Sequence, residues 1–495
     1  MQKLNFSKLA WLALPALTAL GSCGEKFLDL QPTDQLTTAN FYKTPSDANQ
    51  AALACYGQLG RGGQYNYALW GIGEIMSDNS FTGGGGGADG AEEIQLDQFN
   101  IPSSNPMTTR LWNGCYVGIG TCNIALQKIP GITMDANLQK NYLGEAQFLR
   151  AKYYFDLVRA YGDVPLVTVP PASPDAARAI GRTPQAQVYA QIITDLMGAA
   201  STLPESWTGA DLGRATKWAA TGLLAKVYLT QGTATSLPLA AAAARSVIAS
   251  GKFGLWPNYA DAFSVNNENG QESLFEVQYK NGLNEYTFDG LGFVGNEFFG
   301  PRGSGIVPQG GYGFNIPELN FVQGYEAGDK RRAVTIWSPG DPYPAGSVLA
   351  AQPASQTPSS PYGFNCKKWF VGKVNTIVWD SPLNFPVLRY AEMYLILAEA
   401  VGQTTEGVGA INIVRTRAGL PNLTLTTPNF KEAVWKERRY ELAFEDDRWF
   451  DLKRQGQLLT NTHLISKGIK PFNVLLPIPQ SEIDANPILT QNPGY

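Results

Sequence analysis

A dense group of carboxylates near the carboxyl end of the chain could do acid–base chemistry. Two positioned carboxylates are the usual equipment of an enzyme that hydrolyses glycosidic bonds. The stretch ERRYELAFEDDRWFDLKR carries Glu437, Glu441, Glu445, Asp446 and Asp447. It also carries Arg438, Arg439, Arg448 and Arg454, interleaved at helical spacing. Alternating charge of this kind is typical of an ion-paired helix, so we interpret the stretch as scaffold and not as a catalytic site.

Histidine and cysteine chemistry has little support in the composition. His463 is the only histidine, whereas serine and cysteine hydrolases usually depend on one as a general base. A single histidine also disfavours a transition-metal site, so we expect neither an enzyme nor a metal cofactor, and we leave calcium open. Cys115 and Cys122 fall on one predicted helix about 10.5 Å apart, beyond the roughly 7 Å that a disulfide spans. We predict that both are core thiols; pairing of either with Cys55 or Cys366 stays open.

A fifth cysteine, Cys23, has a different setting. It ends a short apolar run, residues 9–20, which follows a basic beginning and is shorter than the roughly 20 residues that cross a bilayer. This pattern is typical of a secretory signal, and Leu20-Gly21-Ser22-Cys23 resembles the lipobox of bacterial lipoproteins. The resemblance implies removal of residues 1–22 and a lipid on the Cys23 thiol. Residues 23–45 would then form a tether, held firmly because two or more acyl chains are attached.

Aromatic residues are concentrated between residues 252 and 385, where glycine, proline and asparagine are also frequent. Flat rings can stack on the apolar faces of sugars, and nearby polar side chains can bind the hydroxyls. The candidates for such a ligand-binding site are Trp70, Asp78, Asn79 and Phe81, followed by Tyr312, Phe314, Trp337, Tyr343 and Trp369. We favour Trp70, Asn79 and Trp337 because each lies beside residues that form turns.

The elements that must position these side chains are mostly helical. Apolar residues recur at helical spacing in residues 46–251 and 386–495, in stretches closed by glycine or proline. Asn429 is placed to cap the last long helix. Between the two helical parts, ESLFEVQY and VNTIVW favour strands, and Gly83–Gly90 favours a loop. We therefore predict a mainly-α fold: a tetratricopeptide-like helical repeat scaffold that carries a loop-rich ligand-binding region, residues 252–385, with a few short strands.

The composition is that of a globular protein, with 44% hydrophobic and 16% charged residues. The formal net charge is −4. Removing residues 1–22 takes away two lysines and no acidic residue, which leaves −6. A negative chain does not favour nucleic acid as a partner. Beyond the leader, no apolar stretch of the sequence approaches the length of a membrane span.

Several stretches, in this order, resemble the SusD/RagB family of surface lipoproteins from Bacteroidota. They are FLDLQP, EAQFLRAKYYFDLVRAYGDVPLV, LRYAEMYLILAEA, INIVRTRAGL, ERRYELAFEDDRWFDLKR and LLPIPQSEIDANPILTQNPGY. The resemblance implies a tetratricopeptide-like scaffold, attachment to the outer membrane and exposure on the cell surface. It also implies a partner, a SusC-like TonB-dependent transporter barrel, to which the lipoprotein delivers an oligo- or polysaccharide. Some members serve peptide uptake, so a peptide ligand is the alternative, and a surface glycoside hydrolase is a further one.

Overall fold

The computed structural model describes residues 41–282, 286–374 and 379–495. The predicted signal peptide, the lipid site at Cys23 and most of the predicted tether lie outside these ranges, as does most of the VNTIVW strand. Within the described part, no helix is both long and apolar enough to span a membrane.

The prediction of a mainly helical protein is confirmed. The helices of the first half are α1 (Pro45–Ala54), α2 (Ala68–Trp70), α3 (Ala91–Asp97), α4 (Pro106–Lys128), α5 (Ala136–Tyr161), α6 (Pro174–Arg178), α7 (Gln185–Thr202), α8 (Lys217–Gln231) and α9 (Ser236–Ala249). Those of the second half are α10 (Gly295–Phe298), α11 (Leu319–Gln323), α12 (Arg332–Thr335), α13 (Tyr390–Val401), α14 (Thr405–Ala418), α15 (Phe430–Glu441), α16 (Arg448–Arg454), α17 (Thr462–Lys467) and α18 (Gln480–Ala485).

The long helices pack in chain order. Helix α4 lies against α5, α5 against α7, α7 against α8 and α8 against α9, and the series continues through α13 and α14. Local sequence sets the helix ends. The Asn105 side chain accepts from two backbone amides at the start of α4, and Gly162 ends α5 with a φ of 75°, a conformation that favours glycine. Cys115 and Cys122 are both buried on α4, as predicted, and form no disulfide with another described cysteine.

The region between α9 and α13 holds most of the strands, as the sequence predicted. The strands are β1 (Ser80–Gly83), β2 (Ser273–Val277), β3 (Phe314–Pro317), β4 (Ile336–Trp337), β5 (Asn365–Cys366) and β6 (Phe385–Arg389). They form three antiparallel two-stranded sheets: β1 with β3, β2 with β6 and β4 with β5. In the β1–β3 pair Phe81 lies opposite Ile316, which joins the glycine-rich loop after β1 to the aromatic-rich region.

The carboxylate-rich stretch is not one helix with pairs along its surface, as the spacing predicted. Helix α15 ends at Glu441 and α16 begins at Arg448, and between them Phe444 and Asp446 take positive φ values of 62° and 60°. This corner is buried, so its charges find partners on other elements: Arg438 pairs with Glu392 of α13, for example. Asn429 stands at the start of α15, but its side chain caps no backbone amide.

A candidate ligand-binding surface of aromatic rings

The expectation that Trp70 offers an exposed ring is wrong. Its side chain is 1% exposed, and its indole packs 5.3 Å from Phe299 and 6.4 Å from Phe314 between ring centroids. The reason is that α2 enters the core directly and continues there as the π-helical turn Gly71–Ile75. Phe314 is buried in the same group, whereas Phe81 on β1 is half-buried.

Asp78 and Asn79 are also buried, and both cross-link the two ends of the chain. Arg448 donates from Nε to Asp78 Oδ1 at 2.8 Å, and Arg439 donates from Nε to Asn79 Oδ1 at 2.8 Å. Burial alone would raise the pKa of Asp78, but these guanidiniums hold it well below its usual range. Both side chains therefore have their hydrogen-bonding capacity used within the fold.

Three further candidate rings lie in the interior. Trp337 packs edge-on against Tyr343 at 5.2 Å in a small separate cluster. Trp369 stacks on Phe385 at 4.8 Å, and its Nε1 donates to the Phe444 carbonyl. None of the three can present an open face to a ligand in this structure, because large rings that find a packing partner are buried by the hydrophobic effect.

Glu74, beneath Asn79, gives a pH-dependent prediction. Burial raises its pKa to about 8, so the folded state keeps a proton that the unfolded chain releases above about pH 4.5. The stability that this proton contributes is therefore lost as the pH rises from about 4.5 to about 8. We expect Glu74→Gln to gain about 3–4 kcal/mol over the wild type between about pH 5 and pH 8, measured by urea unfolding. Exposed Glu205, changed to Gln, should give a constant difference across this window; a constant difference for Glu74→Gln would contradict the prediction.

A different group of rings reaches the surface, and we call it the aromatic surface: the exposed Tyr286 and the half-buried Phe288, Tyr312 and Trp379. Tyr286 is 57% exposed and lies flat on Trp379, with ring centroids 4.5 Å apart and planes inclined by 23°. Trp379 is supported from within by Phe288 at 4.7 Å and Phe298 at 5.0 Å. Tyr286 is thus more than half exposed, and among the described residues its ring stacks on Trp379 alone.

Polar atoms lie at the edge of these rings. The hydroxyls of Tyr286 and Tyr312 are 3.2 Å apart, and Tyr312 donates to Gln309 Oε1 at 3.2 Å. Burial, with the hydrogen bond to Tyr286, raises the pKa of Tyr312 to about 12. The phenol therefore keeps its proton at neutral pH and can both donate and accept. A flat apolar face beside such hydroxyls and an amide is the arrangement that a sugar ring needs.

The loop before β3 holds Tyr312 in place. The Tyr312 backbone amide donates to the Glu297 carbonyl. The buried Glu297 carboxylate accepts from the amides of Gln309 and Gly311. Phe298 packs edge-on beneath the Tyr312 ring at 5.1 Å. Glu297 and Phe298 both belong to helix α10, so this helix fixes the position of the Tyr312 ring.

Two ion pairs flank the aromatic surface. Arg302 pairs with Asp89 of the glycine-rich loop at 3.1 Å and also donates to the Tyr312 carbonyl. The second pair joins Arg110 to Asp289 at 3.3 Å. The latter pair borders Phe288 across Gly62, where a Cβ would meet both Arg110 and Phe288 within 3 Å.

Sequence reasoning found only Tyr312 among these four residues. Tyr286, Phe288 and Trp379 lie in the predicted aromatic-rich region, and the composition signal did include them. Proximity to turn residues did not separate exposed rings from buried ones, because Trp70 and Trp337 also lie beside turns. The distinguishing contact, Tyr286 on Trp379, joins segments that are far apart in the sequence.

An apolar cleft of about 390 Å³ on the helical side is another candidate for a ligand-binding site. Its walls include Trp112 and Tyr116 of α4, Pro165, Pro170 and Leu489. Trp112 is buried, however, with its ring edge-on to Tyr161, and the walls are mostly aliphatic. Tyr116 is half-buried against Trp112, and its hydroxyl donates to the Pro165 carbonyl at 2.8 Å. The cleft therefore lacks the exposed ring and the neighbouring hydroxyls of the aromatic surface.

Comparisons with known proteins agree with the architecture. Residues 246–495 match the SusD family, and residues 26–229 match a family described as "Starch-binding associating with outer membrane". The chain is 28% identical over 519 residues to SusD-like protein P2 of Formosa agariphila, covering 99% of each chain.

Two solved structures show the same fold. A laminarin-binding SusD-like protein superposes with a TM-score of 0.78 at 30% identity, covering 92% of this chain and 100% of that one. Surface glycan-binding protein A of Bacteroides fluxus gives a TM-score of 0.79 at 25% identity, with the same coverage. The resemblance visible in the sequence is confirmed: the chain belongs to the SusD family.

Proposed function

We propose that this protein is a lipid-anchored lipoprotein of the outer-membrane surface that binds glycans on the aromatic surface and passes them to a SusC-like TonB-dependent transporter. The observation that carries the glycan proposal is the exposed ring of Tyr286 on Trp379, beside the Tyr312 hydroxyl. The names of the similar solved structures, which refer to laminarin and to surface glycans, support the same ligand class. The family description supports the location, while the Cys23 anchor and the transporter rest on the sequence resemblance.

We also propose that the protein breaks no bonds. Four of the five carboxylates that could have served a hydrolase hold buried cations: Glu437 and Glu441 pair with Arg331, and Glu445 and Asp447 pair with lysines. A general acid must lie next to the substrate, where it can transfer a proton to it. These four carboxylates form ion pairs in the interior instead. Incubation with glycans, followed by measurement of released reducing ends, should show no turnover; turnover would overturn this part of the proposal.

The binding proposal predicts a large loss of affinity for Trp379→Ala. Removing the lower ring of the stack should weaken glycan binding by about 1–3 kcal/mol, or roughly fivefold to more than a hundredfold in Kd. The measurement is affinity electrophoresis in gels that contain laminarin, starch, xyloglucan or alginate, followed by calorimetry with the glycan that retards the protein.

The matched control is Trp435→Ala. Trp435 is a half-buried tryptophan on α15, and its Nε1 donates to Glu399 at 2.8 Å, far from the aromatic surface in the chain and in its contacts. It should keep wild-type affinity. Equal affinity of Trp379→Ala and the wild type would show that the ligand lies elsewhere.

A further inference from the structure

We infer that the aromatic surface selects uncharged glycans and rejects those that carry carboxylate or sulfate groups. The inference rests on the proposed function and names the ligand class of the same site. It comes from the charges beside the rings, where each flanking guanidinium is already neutralised by a carboxylate of this chain.

In both ion pairs a backbone amide holds the aspartate carboxylate in place. Asp89 Oδ2 accepts from the Gly85 amide at 2.7 Å as well as from Arg302. Asp289 Oδ1 accepts from the Gly62 amide at 3.1 Å, while its Oδ2 faces Arg110. A carboxylate held by the backbone cannot swing aside easily to release its arginine.

The pairs are nevertheless accessible to a ligand. The side chains of Arg302 and Asp89 are 38% and 44% exposed, and those of Arg110 and Asp289 are 42% and 45% exposed. An anionic group that approached either guanidinium would therefore come within a few ångströms of a fixed carboxylate. Such juxtaposition of like charges is how binding sites reject the wrong ligand.

Glu92 is a third carboxylate near these rings. Tyr67, whose ring packs 4.1 Å from Phe288, donates to Glu92 Oε1 at 2.6 Å. Two arginines and three acidic side chains thus lie next to residues that contact the aromatic surface, and the whole chain has a formal charge of −4. Stacking and hydroxyl contacts, which need no charge, remain as the means of binding.

The first arm of the test compares the glycans. The purified wild-type protein should be retarded by one or more of the neutral polymers laminarin, starch and xyloglucan, and not by alginate. Retardation by the neutral polymer should be the same at about 10 mM and about 0.15 M salt, where the Debye length is about 30 Å and about 8 Å. Retardation by alginate alone, or binding that weakens with salt, would overturn the inference and leave glycan binding in place. Retardation by none of the polymers would overturn the proposed function and this inference together.

The second arm frees the arginines. The double variant Asp89→Asn, Asp289→Asn leaves Arg302 and Arg110 without their carboxylates, and it should gain alginate binding by about tenfold or more at low salt. Asp175→Asn is the control, because it frees Arg178 from a still more exposed pair on α6 and should gain none. Failure of the double variant to gain any alginate binding would show that the paired carboxylates are not what excludes anionic glycans.

Discussion

Replacing Glu441 with alanine should lower the free energy of unfolding by about 3–5 kcal/mol, the usual cost of breaking a buried ion pair. Glu441 is fully buried and pairs with Arg331 at 3.2 Å, with Arg389 at 2.9 Å and also with Arg417. Burial alone would raise the pKa of Glu441, but the three guanidiniums hold it well below its usual range. Without the carboxylate, three cations would remain in the interior with part of their compensation lost.

The measurement is urea unfolding followed by circular dichroism. Glu441→Gln, which keeps the shape and removes the charge, gives a second reading if the alanine variant yields no soluble protein. The control is Glu406→Ala: Glu406 pairs with Arg245, but both side chains are nearly half exposed, so we expect a loss below about 1 kcal/mol. A similarly small loss for both Glu441 variants would contradict the view that this corner holds α12, α14 and β6 together.

Replacing Cys23 with alanine should move the protein from the membrane fraction to the soluble fraction almost completely. Each buried methylene of an acyl chain contributes about 0.8 kcal/mol to membrane binding, so loss of the lipid outweighs any contact that the folded part makes with the bilayer. Cys23 lies outside the described residues, and the prediction rests on the lipobox resemblance alone.

Cell fractionation and immunoblotting measure this outcome. Cys366→Ala is the control, because Cys366 is a buried thiol on β5 and its replacement should leave the protein in the membrane fraction. Retention of the Cys23→Ala protein with the membranes until detergent is added would contradict lipid anchoring at this position.

The helical scaffold was predictable because its signals are local. Apolar residues at helical spacing predicted α5, and Gly162 predicted its end. The same reasoning predicted β2 in ESLFEVQY and the absence of a bridge between Cys115 and Cys122. It was wrong at the corner between α15 and α16, where the spacing of charges favours a continuous helix. There the buried partners on other elements outweigh the local preference, since they satisfy charges that a single helix would have left exposed.

By itself, then, the sequence determined the family, the mainly helical class and the region where exposed rings would be found, because periodicity and composition are properties of neighbouring residues. Only the tertiary structure decided which rings face water. Trp70 is buried because α2 enters the core, whereas Tyr286 stays open because it lies on Trp379, a residue from a distant segment. Exposure is set by such long-range packing, and the charges of Arg110 and Arg302 are neutralised by the same long-range contacts.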